Sequence, residues 1–363
     1  MEKPNELSFE LLAGWWTNTI QALVDTAGSE KTKSLMRPYI RNGQIAAALN
    51  VIDGFHLKER DEFNFTFAIT ACHYFYVREI ITDADIKERG VIARVDRCPF
   101  KDGPKEICEI VCGEIYKNFN EVFHIPKKFA FMSYLARGDA ECVWINYPDS
   151  WDRPKMEALG ETIAKPLLTH IPKQLVDDIS VQYLGEMWVM ATRALGDHLG
   201  EERTTDVLEK YMRAAGMTFG SRLKESNKGR ASGHELIVDG ITSVHNALRM
   251  IESVGPSDLN YYEGMVKDCP FKDAPTSICS QLSAFCSGMC EAIDPHYEFA
   301  YQGMMTKGDT NCQWTIRKKG AVVVKDEAIS QDPVNVLKLR FAKGEITEEE
   351  YVRKMALIRE LGH

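Results

Sequence analysis

The chain carries the same eleven-residue pattern twice, and this repetition limits its fold more than any other feature. CPFKDGPKEIC runs from Cys98 to Cys108, and CPFKDAPTSIC runs from Cys269 to Cys279, 171 positions later. Eight of the eleven residues are identical. The likeness extends both ways. Upstream, at an offset of 172, Trp16 falls on Trp188, Asp25 on Asp197, Tyr39 on Tyr211, Arg41 on Arg213 and His73 on His245. Downstream, at an offset of 170, Gly138, Asp139, Cys142 and Trp144 fall on Gly308, Asp309, Cys312 and Trp314. A repeat period this long means two copies of a whole folding unit rather than a solenoid of short motifs. The boundaries read as a first unit over 1–147, a proline-containing bridge over 148–176, a second unit over 177–320, and a distinct segment over 332–363.

Within one unit, residues 8–27 place Leu11, Leu12, Trp15, Trp16, Ile20, Leu23 and Val24 at helical spacing, and the pattern stops at Gly28. A second helix is expected over 31–53. A third is expected over 68–81 in the first copy, carrying His73, and over 237–254 in the second, carrying His245. Residues 91–97 alternate as a strand and lead into the Cys-Pro-Phe turn. Pro104 suits the first turn of a helix reaching about Phe123. Two short strands over 129–137 and 141–147 flank Gly138-Asp139, a hairpin signal. The expected fold class is α+β: two tandem repeats, each with N-terminal helices and a small antiparallel sheet under a covering helix. In the bridge, residues 156–168 suggest a short helix ended by a proline.

Charge and hydropathy narrow the function. With 44 Lys+Arg against 53 Asp+Glu, the net charge is −9. No long basic run is present, so nucleic-acid binding through phosphate neutralisation is not expected. No apolar stretch nears the roughly 20 residues of a membrane span. The opening MEKPNELSFE has no apolar segment after a basic start, so the cytoplasm is the expected compartment.

In that reducing setting the ten cysteines are expected as thiols or metal ligands rather than as a disulfide framework. Six of them fall on matched positions. Together with the matched histidines they make two sets: His73, Cys98, Cys108 and Cys142, and His245, Cys269, Cys279 and Cys312. Three thiolates and an imidazole suit tetrahedral Zn²⁺, or Fe. A second reading makes Cys98 and Cys269 nucleophiles, each at a strand-to-helix turn where a helix dipole favours the thiolate, with His73 and His245 as bases. A third makes all of these thiols ordinary core residues, since cysteine packs as a small hydrophobe. Asp102, Asp273, Asp139 and Asp309 fit turn chemistry. No glycine-rich phosphate loop, serine elbow or His-Glu-x-x-His helix occurs.

The Cys-Pro turn, the following helix cysteine and the Gly-Asp-x-x-Cys-x-Trp tail resemble the L-2-amino-thiazoline-4-carboxylic acid hydrolase-like family. The residues carrying the likeness are Cys98, Pro99, Cys108, Gly138, Asp139, Cys142 and Trp144, and again Cys269, Pro270, Cys279, Gly308, Asp309, Cys312 and Trp314. The same tail is similar to 4-vinyl reductase (hydrocarbon-binding) domains. The resemblance implies an α+β ligand-binding fold and hydrolysis of a C–N bond in a small cyclic amidine-like acid. The tandem arrangement departs from the usual single unit. Two alternatives stand beside the hydrolase: a non-catalytic binder of a small hydrophobic or tetrapyrrole ligand, and a structural subunit of a larger complex. The C-terminal segment resembles the SHOCT domain, a helical hairpin. Thr347 and Glu350 form a capping-box signature there, and Leu337, Leu339, Phe341, Tyr351, Met355 and Ile358 offer apolar faces for self-association or docking.

Overall fold

The computed structural model describes residues 4–58, 64–65, 68–69, 71–72, 81–85, 90–95, 98–125, 127–148, 173–228, 233–257, 261–320, 347, 350–351 and 353–355. It is a mixed α+β architecture. Two long helices open the chain, α1 (Pro4–Ala27) and α2 (Ser29–Gly54). They are separated by Gly28 alone, whose φ of 79° suits glycine best. Helical residues 64–65, 68–69 and 71–72 follow. Then come β1 (Ile81–Asp85), β2 (Gly90–Val95), a helical stretch α3 (Lys105–Ile107, Cys108–Cys112 and Gly113–Phe123), β3 (Lys127–Ser133) and β4 (Cys142–Pro148). The same order recurs as α4 (Lys173–Leu199), α5 (Glu201–Ser226), α6 (Gly233–Ala247), β5 (Ile251–Ser257), β6 (Tyr261–Asp268), α7 (Thr276–Ile293), β7 (Tyr297–Gly303) and β8 (Cys312–Lys318).

The strands form two four-stranded antiparallel sheets of matching order, β1-β2-β4-β3 and β5-β6-β8-β7. Each therefore has one more strand than the three that the alternation suggests. In the second half the added edge strand replaces the C-terminal part of the expected third helix. In the second half that helix ends at Ala247, Arg249 takes a left-handed φ of 58°, and β5 starts at Ile251. A left-handed residue breaks the helical ladder and lets Ile251 and Val254 enter a strand, where β-branched side chains fit well. In each sheet the last strand in sequence slots between the second and third, so a helix crosses over between two strands that are not neighbours.

The Phe of each Cys-Pro-Phe turn docks edge-on against a tryptophan of the opening helix. Phe100 meets Trp16 at 4.7 Å between ring centroids, and Phe271 meets Trp188 at 5.4 Å. The two halves meet through α1 and α4. Trp15 lies 4.9 Å from Trp188 and 5.0 Å from Phe285, all three buried. Around this seam the contacts are reciprocal. Tyr39 donates to Asp197, and its counterpart Tyr211 donates to Asp25. Residue i touching j while the copy of j touches the copy of i is the pattern of a two-fold interface, here within one chain.

The halves differ at the covering helix. α3 has nineteen residues and α7 has eighteen. The extra residue is absorbed as a π-helical turn over Cys108–Cys112. This accounts for the change of offset from 171 at Cys108 to 170 at Gly138. It also changes how the helices pack. In the first half, buried Gln44 of α2 donates to the Val111 carbonyl of the π turn at 2.8 Å and accepts from Asn118 at 2.7 Å. In the second half the same positions hold Gly216 and Gly288. There the backbones of α5 and α7 touch: a Cβ on Gly216 would stand 2.0 Å from the Phe285 carbonyl oxygen, and one on Gly288 would stand 2.2 Å from that of Arg213.

The expected helix of the bridge lies outside the described residues, as do Leu337, Leu339, Phe341 and Ile358. The capping box is present. The Thr347 N–H donates to the Glu350 carboxylate at 3.1 Å, and the Glu350 N–H donates to the Thr347 hydroxyl at 3.2 Å. Among the described residues no helix is long and apolar enough to cross a membrane.

Candidate functional site

The matched cysteines gather at one end of each sheet. In the second half Cys269 follows β6, Cys279 lies in the first turns of α7, and Cys312 opens β8. The turn carrying Gly308 folds over them. Gly308 adopts φ 95°, Asp309 accepts the Met304 N–H at 2.7 Å, and the Met305 N–H donates to the Cys312 sulfur at 3.2 Å. The first half repeats these bonds. Asp139 accepts the Tyr134 N–H at 2.7 Å, and the Leu135 N–H donates to Cys142 at 3.1 Å. Asp139 and Asp309 thus hold the turn in shape, as turn chemistry leads one to expect.

The two thiol groups are not equivalent. In the second half the Thr306 hydroxyl donates to Cys279 at 3.1 Å, and Cys279 and Cys312 interact with one another. Interaction with Cys279, helped by the Met305 N–H, holds the Cys312 thiol below its ordinary range; the same interaction, then burial, pushes Cys279 up. Cys269 is pushed up to about 11 by burial. In the first half Ala136 stands where Thr306 does, and all the grouped thiols move upward. Burial raises Cys98 and Cys108 to about 12, and raises Cys142 and Cys112 as well. Cys112, reached through the π turn, joins that group electrostatically with Cys98, Cys108 and Cys142. Of these thiols, Cys312 is the one whose surroundings favour the thiolate, and Cys269 is not.

The histidine expected as a base or ligand stands apart from the sulfurs. His245 is fully buried. Its Nδ1 lies 3.0 Å from the Glu252 carboxylate, and its Nε2 lies 2.9 Å from the Tyr301 hydroxyl. Both ring nitrogens are thus engaged by groups other than thiols. Its counterpart His73 lies outside the described residues. Among the described residues no three His, Cys, Asp or Glu side chains are arranged to hold a metal ion.

Sequence reasoning missed Tyr301 and Glu252. Tyr301 is half-buried, packs edge-on against Phe299 at 5.1 Å and shares a face with Trp314, its directly opposite partner on β8. Gly264 leaves room for that tryptophan, since a Cβ there would fall 2.3 Å from the indole. The signal available in sequence was a difference between the copies: Phe131 holds the register position of Tyr301.

A cavity of about 550 Å³ lies behind the second Cys-Pro-Phe turn, lined by Leu12, Val189, Met190, Arg193, Phe271 and Ala274 among others. At the matching place in the first half, Gly103 sits close against Thr17, and a Cβ there would come within 2.7 Å of the Thr17 methyl. Ala274 and Val189 replace this pair in the second half. A volume of this size suits a small molecule.

No protein-family model matches the chain, and no curated protein matches it.

Proposed function

We propose that the chain is a hydrolase acting on a C–N bond of a small cyclic amidine or heterocyclic acid, built as two tandem copies of one unit with Cys312 as its nucleophile. The C–N class follows from the resemblance of the repeated motif. The choice of sulfur rests on the surroundings of Cys312: the Met305 amide donates to it at 3.2 Å and its interaction with Cys279 lowers the thiol, whereas burial raises Cys98, Cys108, Cys142 and Cys269.

In this reading the Cys312 thiolate adds to the amidine carbon. The C–N bond breaks as the leaving nitrogen takes the proton held by Cys279. Water then attacks the thio-adduct, one of its protons returns to Cys279, and the Cys312 thiolate is released with the hydrolysed product. Atoms and charge balance over the cycle. The Met305 N–H points at the sulfur and so holds the nucleophile rather than an oxyanion. The C-terminal segment, with its formed capping box, acts as a SHOCT-like docking hairpin for a second copy or a larger complex.

The test is ring opening of 2-amino-thiazoline-4-carboxylate by the full chain, by Cys312→Ser and by Cys269→Ser. Turnover lost in the first variant and kept in the second supports the reading. Turnover kept in Cys312→Ser overturns it. Elemental analysis of the same preparations separates a thiol mechanism from a metal one. About one Zn or Fe per thiol group, lost with activity on chelation, would favour the metal version.

A second reading, favoured by the cavity beside Phe271, is a binding protein for a small partly apolar ligand. No turnover together with saturable binding, weakened by Ala274→Trp, would support it.

A further inference from the structure

We propose that the cavity beside Phe271 binds a zwitterion with a large apolar group, an aromatic or long-chain α-amino acid, held at its mouth by Arg193 and Asp273. This deepens the reading of that cavity as a ligand site and rests on it.

The cavity joins an apolar interior to a charged mouth. Among its lining residues Leu12 and Leu248 are buried, and Val189, Met190, Phe271 and Ala274 are half-buried. Phe271 is a firm wall. Trp188 meets it edge-on at 5.4 Å, and its ring lies 3.4 Å from where a Cβ on Gly185 would stand. A wall already fixed in place costs a ligand little ordering, and an apolar group entering this interior gains by leaving water.

Four charged side chains line the mouth: Glu186, Arg193, Arg249 and Asp273. All are exposed. Two are already engaged. Arg249 pairs with Asp178, and Glu186 accepts the Gln182 side-chain amide at 3.0 Å. The other two are open. The Arg193 guanidinium reaches the main-chain carbonyl of Asp273 at 3.4 Å, and among the described residues it pairs with no carboxylate. One turn further along α4, Asp197 accepts from Tyr39 instead. Among the same residues the Asp273 carboxylate accepts no hydrogen bond and meets no cation.

An open cation and an open anion thus stand side by side over an apolar interior. The two charges cancel, so a ligand with a net charge would satisfy one and leave the other unmatched. A ligand carrying both signs satisfies both. Arg193 touches the Asp273 backbone, so the two charges of the ligand must also be adjacent. An α-amino acid bears its carboxylate and ammonium on one carbon, whereas a dipeptide holds them apart. Arg193 forks onto the carboxylate, the ammonium donates to Asp273, and the side chain fills the interior.

The first half lacks the site. Gln21 holds the place of Arg193 and donates to Asp25 at 2.8 Å, and Gly103 packed against Thr17 takes up the space. One ligand per chain is expected.

The experiment is saturation-transfer NMR titration of the full chain with probes of one shape: L-phenylalanine, 3-phenylpropionate, phenethylamine and the uncharged 2-phenylethanol. The variants are Arg193→Gln and Asp273→Asn, both at exposed positions, and Ala274→Trp, which fills the interior. L-phenylalanine should bind about tenfold or more tighter than each analogue, because each analogue lacks at least one charge-assisted hydrogen bond. Arg193→Gln should weaken L-phenylalanine and 3-phenylpropionate about tenfold and not weaken phenethylamine. Asp273→Asn should weaken L-phenylalanine and phenethylamine about tenfold and not weaken 3-phenylpropionate. Ala274→Trp should weaken every probe. Probes that bind alike, or L-phenylalanine unmoved by both charge variants, with Ala274→Trp still weakening them, overturn the zwitterion and leave the ligand site standing. Probes that do not bind, or whose binding ignores Ala274→Trp, sink the zwitterion and the ligand site together.

Discussion

Replacing Gly216 with alanine tests the helix crossing that distinguishes the second half from the first. The added Cβ would stand 2.0 Å from the Phe285 carbonyl oxygen, 2.8 Å from its carbon and 3.0 Å from its Cα. These are backbone atoms in the middle of α7, so no side chain can rotate out of the way. Ordinary contact needs about 3.4 Å, and α5 and α7 would have to part by about 1.4 Å. Overpacking of this kind costs about 1–3 kcal/mol, and a gap near 1 Å also forfeits roughly half of each dispersion contact along the seam. Alanine recovers about 1 kcal/mol of helix propensity. The net loss is up to about 2 kcal/mol, or up to roughly 4–8 °C in Tm for a body of this size. Gly14 supplies the control. It sits on the exposed face of α1 with nothing within 4 Å of its Cβ position, so Gly14→Ala should stabilise by up to about 1 kcal/mol. Urea titration followed by circular dichroism measures both. If Gly216→Ala is as stable as Gly14→Ala, the backbone contact between the two helices is wrong.

Gln44→Leu should destabilise the first half by about 1–3 kcal/mol, because it leaves the Asn118 amide and the π-turn carbonyl of Val111 buried and unpaired; denaturant titration reads it directly. Tyr39→Phe and Tyr211→Phe should shift the unfolding midpoint by equal small amounts, since the two hydrogen bonds to Asp197 and Asp25 are copies of one another, and unequal shifts would deny the reciprocal seam. Stability should fall as pH rises above about 8.5. Burial lifts Cys72 to about 12 in the fold, so between about pH 8.5 and 12 the unfolded chain gives up a proton that the folded chain keeps. Cys72→Ala should make the measured decline shallower, and an unchanged slope would remove Cys72 as a cause.

Much of the local structure can be read from residue order. The apolar spacing of Leu12, Trp16, Ile20 and Leu23 gives α1, Gly28 ends it, and Pro104 stands immediately before α3. Gly138 and Gly308 mark turns that need a left-handed residue, and both are left-handed. The edge strands were harder to see. Residues 251–257 continue a run whose apolar spacing is compatible with a helix, and only pairing with β6 decides that Ile251–Ser257 is a strand. The π turn was visible only as a one-residue change of offset.

The candidate site divides in the same way. Sequence supplied the matched cysteines, because duplication leaves a mark that needs no coordinates. It could not tell Cys312 from Cys142, since that difference comes from Cys279, itself bonded by Thr306, lying beside Cys312. Nor could it show that His245 answers to Glu252 and Tyr301, partners 7 and 56 positions away. What the chain determined alone was the repeated order of helices, turns and sulfurs, because those depend on neighbours along the backbone. What only the tertiary structure decided was which groups surround each matched sulfur, because a buried thiol's environment depends on the few groups that folding brings within hydrogen-bond reach.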